Sequence, residues 1–305
     1  MAASVYQYFL ARFYYDRPAI VAAVDWIEAL VLGILQGLTE WLPVSSSGHL
    51  ALAQRYLGEV PVVIDILLHF GTMLVLFMFF RKDVRLASRS ALAALADLAR
   101  GKGWEASVRS NTDRRMAFCI VLALVPTAVI ALIFRFGIGP QIMDNIAIVA
   151  TGFAVTGVLL LATSFAANKR AGNDKGRGLD RLETSDALTV GTAQGIAFLP
   201  GFSRSGLTIG TGLFRGMDAE TAGRYSFLIS LPAVLGATIL ELPDAVALPG
   251  QELLMGLAGM AVAMVVGYAS LGALMRILKK GNIAWFSPYC FVMCGVTVAI
   301  LFNII

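Results

Sequence analysis

Residues 36–50 read QGLTEWLPVSSSGHL, and residues 194–208 read QGIAFLPGFSRSGLT. Gln36-Gly37 matches Gln194-Gly195 at an offset of 158 residues, and Ser45-Ser46-Ser47-Gly48 matches Ser203-Arg204-Ser205-Gly206 at the same offset. The prolines, Pro43 and Pro200, are offset by 157, so one residue has moved across the proline. Each copy interrupts an apolar stretch with Gln, Pro, Ser and Gly. Polar groups of this kind are costly in hydrocarbon unless they are buried in protein or face water. Two such interruptions in equivalent places mark an internal repeat, and the repeat decides the fold.

The chain has 305 residues, 58% hydrophobic and 14% charged. Soluble domains carry roughly 25% charge, so this is an integral membrane protein. A spanning helix needs about 20 apolar residues. Stretches that meet this length are 62–80, 116–136, 146–167, 225–242, 253–274 and 283–304. Two shorter apolar segments, 26–43 and 187–200, end in the repeated polar turns. The expected fold is a single all-α polytopic domain, with six transmembrane helices and two re-entrant helical hairpins.

Positive charge supports that count. Nine Lys or Arg fall in 81–115 and five in 169–181. Arg215 and Arg224 follow the second hairpin, and Arg276, Lys279 and Lys280 lie between the last two spans. The loops 137–145 and 243–252 contain none. Positive loops stay cytoplasmic. If 187–200 crossed fully, the basic loops that follow would lie outside and the charge-free loop 243–252 inside. A re-entrant hairpin keeps every basic loop inside, and broken backbone is tolerated at membrane depth where it is buried or lines a wet cavity.

Each hairpin is followed by three spans, so the second copy is expected to be inverted relative to the first. Repeat 1 covers 25–167 and repeat 2 covers 186–305. Inverted repeats with broken helices put their special residues near the midplane, where the copies meet. Residues 1–24 contain Arg12, Asp16 and Arg17 among tyrosines and make a poor signal peptide. They are expected to form an interfacial extension. The basic stretch 81–115 is expected to be a cytoplasmic surface helix whose charge could favour anionic headgroups. Cys119, Cys290 and Cys294 all lie inside spans, with no disulfide framework or CxxC metal motif. His49 and His69 are the only histidines, which excludes a His-rich zinc site.

The two tips carry the chemistry. Glu40 is the only acid in either, and Gln36 lies one helical turn before it on the same face. A carboxylate plus an amide suits a divalent cation, Mg²⁺ or Ca²⁺, completed by water and phosphate. Glu40 could equally be a general base. Ser45, Ser46 and Ser47 offer hydroxyls with His49 nearby, which suits an activated nucleophile or a phosphoryl-accepting His. Ser-rich turns also cap helices. His69, on an apolar span, reads as a packing or indirect residue. Arg204 inside a membrane hairpin needs an anionic partner, and its planar fork suits phosphate. Ser203, Ser205 and the backbone NH groups of Gly201 and Gly206 could help cradle that anion. The alternative for Arg204 is a structural ion pair with Glu40. Together these groups describe phosphate chemistry, and the membrane suggests that the phosphate carries a lipid tail.

At these residues the sequence resembles the undecaprenyl-diphosphate phosphatase family of the bacitracin-resistance type. The family's first motif, (E/Q)xxxE followed by PVSSxGH, stands here as Gln36 to Glu40 and Pro43 to His49. Its second, PGxSRSG, stands as Pro200 to Gly206, and RYSFLISLP from Arg224 to Pro232 is also similar. The resemblance implies removal of the terminal phosphate from the undecaprenyl diphosphate carrier lipid and dependence on a divalent metal. It also implies a plasma (inner) membrane location, a site opening toward the periplasm, and bacitracin resistance. By motif position Glu40, Ser46, His49 and Arg204 carry catalysis. Gln36, Ser45, Ser47, Ser203, Ser205, Gly201 and Gly206 bind substrate, with Glu40 and Gln36 on the metal. The first acid position is Gln here, which puts a two-carboxylate metal site in doubt. Membrane lipids are expected partners, nucleic acid is not, and a homodimer is left open. The repeat architecture also suits a polyprenyl-phosphate flippase, and a broader lipid diphosphate phosphatase is a third reading.

Overall fold

A computed structural model describes residues 25–57, 62–108, 111–134, 145–169, 176–245, 250–280 and 283–304. Twelve α-helices lie among the described residues: α1 (Trp26–Thr39), α2 (Ser46–Leu57), α3 (Val62–Phe79), α4 (Arg81–Ala99), α5 (Trp104–Val108), α6 (Thr112–Ile133), α7 (Ile146–Lys169), α8 (Thr184–Ile196), α9 (Arg204–Phe214), α10 (Ala219–Ala245), α11 (Gly250–Lys279) and α12 (Ser287–Leu301). Among the described residues the regular elements are helices, which with closed barrels are the forms that satisfy backbone hydrogen bonds in lipid.

By length and hydropathy α6, α7, α11 and the stretch Ile283–Leu301 that contains α12 can each cross a membrane. The pair α3 and α4 adds a fifth if taken as one span, but it bends by 82° at its break. Four or five spans among the described residues therefore stand against the six expected. The sixth, 225–242, falls in α10, and part of that helix's side chains lie outside the described set. The interfacial extension expected at 1–24 also lies outside it.

The basic stretch 81–115 is not one helix. It forms α4, α5 and the first turn of α6. The bend comes where the apolar run of α3 meets Arg81, Lys82 and Asp83, charges that hydrocarbon would not accept. Leu86, Leu92 and Leu95 are exposed along α4, so its outer face mixes leucines with arginines. That pattern suits a helix lying in a membrane interface. Lys102 and Arg114 both hydrogen-bond Asp97, and the Lys102 bond above all holds its carboxyl below the usual carboxylate range. Those bonds tie the end of α4 to α6.

The repeat persists in three dimensions. The helix pairs α1/α2 and α8/α9 start at positions exactly one repeat offset apart, Trp26 and Thr184, Ser46 and Arg204. The first arm of each pair packs on the second of the three spans expected in the opposite repeat: α1 on α11, and α8 on α6. The last helices of the repeats, α7 and α12, pack on each other. Small residues permit the close approach. A Cβ on Gly33 would strike the carbonyl of Gly259 on α11, and one on its counterpart Gly191 would strike the carbonyl of Ala123 on α6. Membrane helices use small residues this way because packing, not burial from water, drives their association. On the other side of α6, Val121, Val125 and Val129 are exposed at four-residue spacing, an apolar ridge for lipid.

A stability test follows. Ala is about 1 kcal/mol better than Gly in a helix interior. At Gly236, where no atom lies near an added Cβ, Gly236→Ala should be neutral or stabilising. Gly191→Ala should lower the thermal unfolding midpoint in detergent, because the backbone of α6 would have to move. Equal midpoints for the two variants would contradict the packing described.

Candidate functional site

Both helix breaks are built alike. The first runs from Glu40 to Ser45 and the second from Ala197 to Ser203. Ser45 sits at φ 68°, a left-handed conformation that is uncommon outside glycine. Gly201, at φ 83°, needs to be glycine twice over, since a Cβ would also strike the carbonyl of Val149 on α7. Ser45 Oγ accepts from the Gly48 backbone NH (3.2 Å), and Ser203 Oγ accepts from the Gly206 NH (3.0 Å). Each serine thus caps the helix that follows, satisfying a donor that would otherwise be orphaned. The hydroxyls of Ser45 and Ser47 lie 3.3 Å apart and those of Ser203 and Ser205 3.2 Å apart.

The tips face and grip each other. Gly201 NH donates to Ser47 Oγ (3.3 Å), and Ser205 Oγ donates to the Leu42 carbonyl (3.0 Å). Ser203 NH is held by Thr156 Oγ1 on α7 (3.1 Å). Six groups expected to touch an anion, namely Ser45, Ser47, Ser203, Ser205 and the NH groups of Gly201 and Gly206, are therefore engaged in capping and joining the tips. The physical reason is the need to satisfy buried polar atoms at a helix break.

At the centre, Arg204 Nη2 donates to Glu40 Oε1 across 2.7 Å, linking the tips between residues 164 apart in the chain. The other oxygen, Glu40 Oε2, accepts from Ser46 Oγ (2.7 Å) and from Gln36 Nε2 (3.0 Å). The guanidinium also lies 5.7 Å from the ring centroid of Trp41, within cation–π range. The buried atoms without a partner here include Arg204 Nη1, a donor, and Gln36 Oε1, an acceptor, with Trp41 Nε1 beside them. Buried polar groups are normally satisfied. An anion would complete the first, and a cation or a donor the second.

The two histidines sit differently about Glu40. His49 Nδ1 lies 2.7 Å from the Ser45 carbonyl and Nε2 2.7 Å from the Tyr289 hydroxyl. A carbonyl only accepts, so Nδ1 carries a proton, and in the neutral ring Nε2 accepts from Tyr289. Both nitrogens are used, the ring stacks on Tyr289 and stands edge-on to Phe153. Among the described residues no hydrogen bond joins His49 to Glu40 or Ser46. His69 instead puts Nε2 3.9 Å from Glu40 Oε2. Tyr289 and His69 are thus the neighbours that sequence spacing does not disclose, since they arrive on α12 and α3. Among the described residues no disulfide joins Cys119, Cys290 or Cys294, and Cys290 donates to the Pro43 carbonyl at 3.4 Å.

A phosphate with a charge-neutralising Arg, a hydroxyl on a carboxylate and a free buried acceptor beside it is the chemistry this arrangement can serve. Comparison with known proteins agrees. The profile for bacitracin resistance protein BacA matches residues 29–296. The undecaprenyl-diphosphatase of Desulfatibacillum aliphaticivorans is 40% identical over 280 residues, covering 91% of this chain and 99% of that protein. That of Desulforapulum autotrophicum is 39% identical, covering 88% and 96%. That of Korarchaeum cryptofilum is 38% identical, covering 89% and 97%.

Proposed function

The chain belongs to the bacitracin resistance protein BacA family and acts as an undecaprenyl-diphosphatase, and we propose that the facing tips of α1/α2 and α8/α9 carry the hydrolysis. The observation that carries this reading is the Ser46–Glu40–Arg204 chain: a hydroxyl donating to one carboxylate oxygen while a guanidinium holds the other. Ser46 Oγ attacks the terminal phosphorus, and its proton passes to Glu40. The bond from phosphorus to the bridging oxygen breaks, and polyprenyl phosphate leaves with the electron pair and with the proton that Glu40 gives up. Water then attacks the phosphoserine, giving its proton to the freed carboxylate, which passes it to the departing Ser46 Oγ as inorganic phosphate is released. Arg204 turns its unpartnered Nη1 to the phosphate and stabilises the charge that builds in the transition state. His49, with both nitrogens engaged, positions the tip through Ser45 and Tyr289. The serines and glycines of both tips fix the pocket's shape around the diphosphate.

The residues fit a divalent cation. Gln36 is buried with Nε2 on Glu40 Oε2 and Oε1 without a partner, and a half-turn of the amide would bring that oxygen to Glu40. Among the described residues no group of three His, Cys, Asp or Glu could hold a metal, so water and phosphate oxygens complete the shell. Glu40 and Gln36 would hold Mg²⁺ or Ca²⁺, whose positive charge neutralises phosphate oxygens.

Terminally labelled substrate, acid-quenched during turnover, should leave label on Ser46. Phosphate release without any labelled serine would mean that water attacks directly.

The finer membrane arrangement follows the same reading. The broken pairs α1/α2 and α8/α9 are re-entrant hairpins, each heading an inverted repeat, 25–167 and 186–305. The reciprocal packing of α1 on α11 and α8 on α6 supports this. The site then opens toward the periplasm and the basic loops face the cytoplasm. A single cysteine at exposed Gln251 should react with an impermeant thiol reagent from the periplasmic side, and one at exposed Asp180 should not. The opposite labelling pattern would defeat both the orientation and the inverted repeat.

A further inference from the structure

The donor set at Glu40 is one short, because the first acid position of the motif is filled by an amide. His69 stands beside the gap. Its Nδ1 lies 2.8 Å from the Asp65 carbonyl on the same helix. That oxygen can only accept, so Nδ1 carries a proton, and in the neutral ring the Nε2 lone pair is free. It faces Glu40 Oε2 across 3.9 Å. Two acceptors so placed do not hydrogen-bond to each other, and something positive or donating belongs between them. Donors on opposite sides of a cation with bonds of about 2.1 Å lie about 4.2 Å apart, so one ion can reach both atoms.

Gln36 supplies a second, independent observation. The side chain is fully buried, and Oε1 has no partner while Nε2 lies 3.0 Å from Glu40 Oε2. A half-turn of the amide exchanges oxygen for nitrogen with almost no change of shape. The oxygen would then stand about 3.0 Å from Glu40 Oε2, which is the edge of an octahedron with bonds of about 2.1 Å.

The support around His69 is of the kind metal-bound imidazoles use, in which the distal NH is held by a carbonyl or carboxylate. Asp65 is itself fixed by Gln54 Nε2, which donates to both its carboxylate oxygens at 2.9 and 2.8 Å. The His69 side chain is 37% exposed, against 9% for Glu40, so the gap between them is open to water and phosphate.

We propose that His69 Nε2 is a ligand of the divalent cation, completing with Glu40 and Gln36 a three-residue set that binds the metal together with the diphosphate. This rests on the placement of the cation at Glu40 and Gln36 given above. An imidazole nitrogen also shifts preference away from Ca²⁺, which takes oxygen ligands, toward Mn²⁺ and later transition metals.

The test is pulsed electron paramagnetic resonance on the full chain in lipid nanodiscs, with Mn²⁺ and methylenediphosphonate as the diphosphate probe. Bound Mn²⁺ should show the ¹⁴N coupling of a directly bonded imidazole. Histidine labelled with ¹⁵N should replace that coupling without any mutation. His69→Gln should abolish it and weaken Mn²⁺ binding about tenfold or more, whereas His49→Gln should leave it in place. Bound Mn²⁺ with no nitrogen coupling, or coupling that survives His69→Gln, would remove His69 from the metal and leave the proposed hydrolysis standing. Mn²⁺ binding unchanged by Glu40→Gln would instead overturn the placement of the cation, and the inference with it.

Discussion

Glu40→Gln should cut phosphate release by at least about a hundredfold, while the folded protein still binds lipid diphosphate. General acid–base catalysis alone is typically worth about 10²–10⁴-fold, and a neutral amide can neither take the Ser46 proton nor hold a cation well. The surroundings explain why the fold should survive. Glu40 Oε1 accepts from Arg204, and an amide oxygen can accept in its place. The introduced NH₂ group would then meet Ser46 Oγ, which can accept as well as donate. It would also meet the Gln36 amide, which can turn its unpartnered oxygen inward. Truncation to Ala offers no such accommodation. It would leave Arg204 buried and unpaired, a fault that costs about 3–5 kcal/mol when a buried pair is broken from one side. Phosphate release assayed on purified protein, with lipid binding measured in parallel, separates chemistry from folding. Excess Mg²⁺ should restore little. Hydrolysis retained by the folded variant would take Glu40 out of the mechanism.

The helix breaks were legible because polar residues cannot hide in an apolar chain. QG and SxSG recur at one offset, and the helices begin at that same offset. Charge made the basic stretch 81–115 visible, but its division into α4 and α5 depends on where α6 and α10 offer partners, Arg114 for Asp97 and Arg224 for Asp83. The site was legible in its members and less so in their pairings. His49 stands three residues from Ser46 in sequence, yet its ring turns toward Tyr289, 240 residues away. His69 lies 29 residues from Glu40 and reaches it because α3 packs beside α1. Serine hydroxyls that could have faced an anion were drawn into capping, a demand set by backbone geometry at each tip rather than by residue type. Side-chain direction at a helix break depends on tertiary packing, and no local periodicity encodes it.

Arg204→Lys should lose activity nearly as heavily, by about 10²–10³-fold, the range seen when one donor to a developing oxyanion is removed. The substitution keeps the charge, so simple neutralisation cannot account for such a loss. The guanidinium here has two tasks on two nitrogens. Nη2 is committed to Glu40 Oε1 at 2.7 Å, and Nη1 is buried without a partner. A planar fork can hold the carboxylate and present the second nitrogen to a phosphate oxygen at the same moment. An ammonium is a single point on a flexible stem. If it stays with Glu40, the fold keeps its bridge between the tips and the phosphate loses its donor. If it turns to the phosphate, the carboxylate loses the charge beside it. The first outcome is favoured in the free enzyme, where no phosphate competes, so Lys should fold normally and fail in turnover. The kinetic signature is a fall in kcat larger than the rise in KM, since the missing contact matters most when charge builds on the transferred group. Near-normal turnover in the Lys variant would mean that Arg204 serves only to pair Glu40 and hold the two tips together.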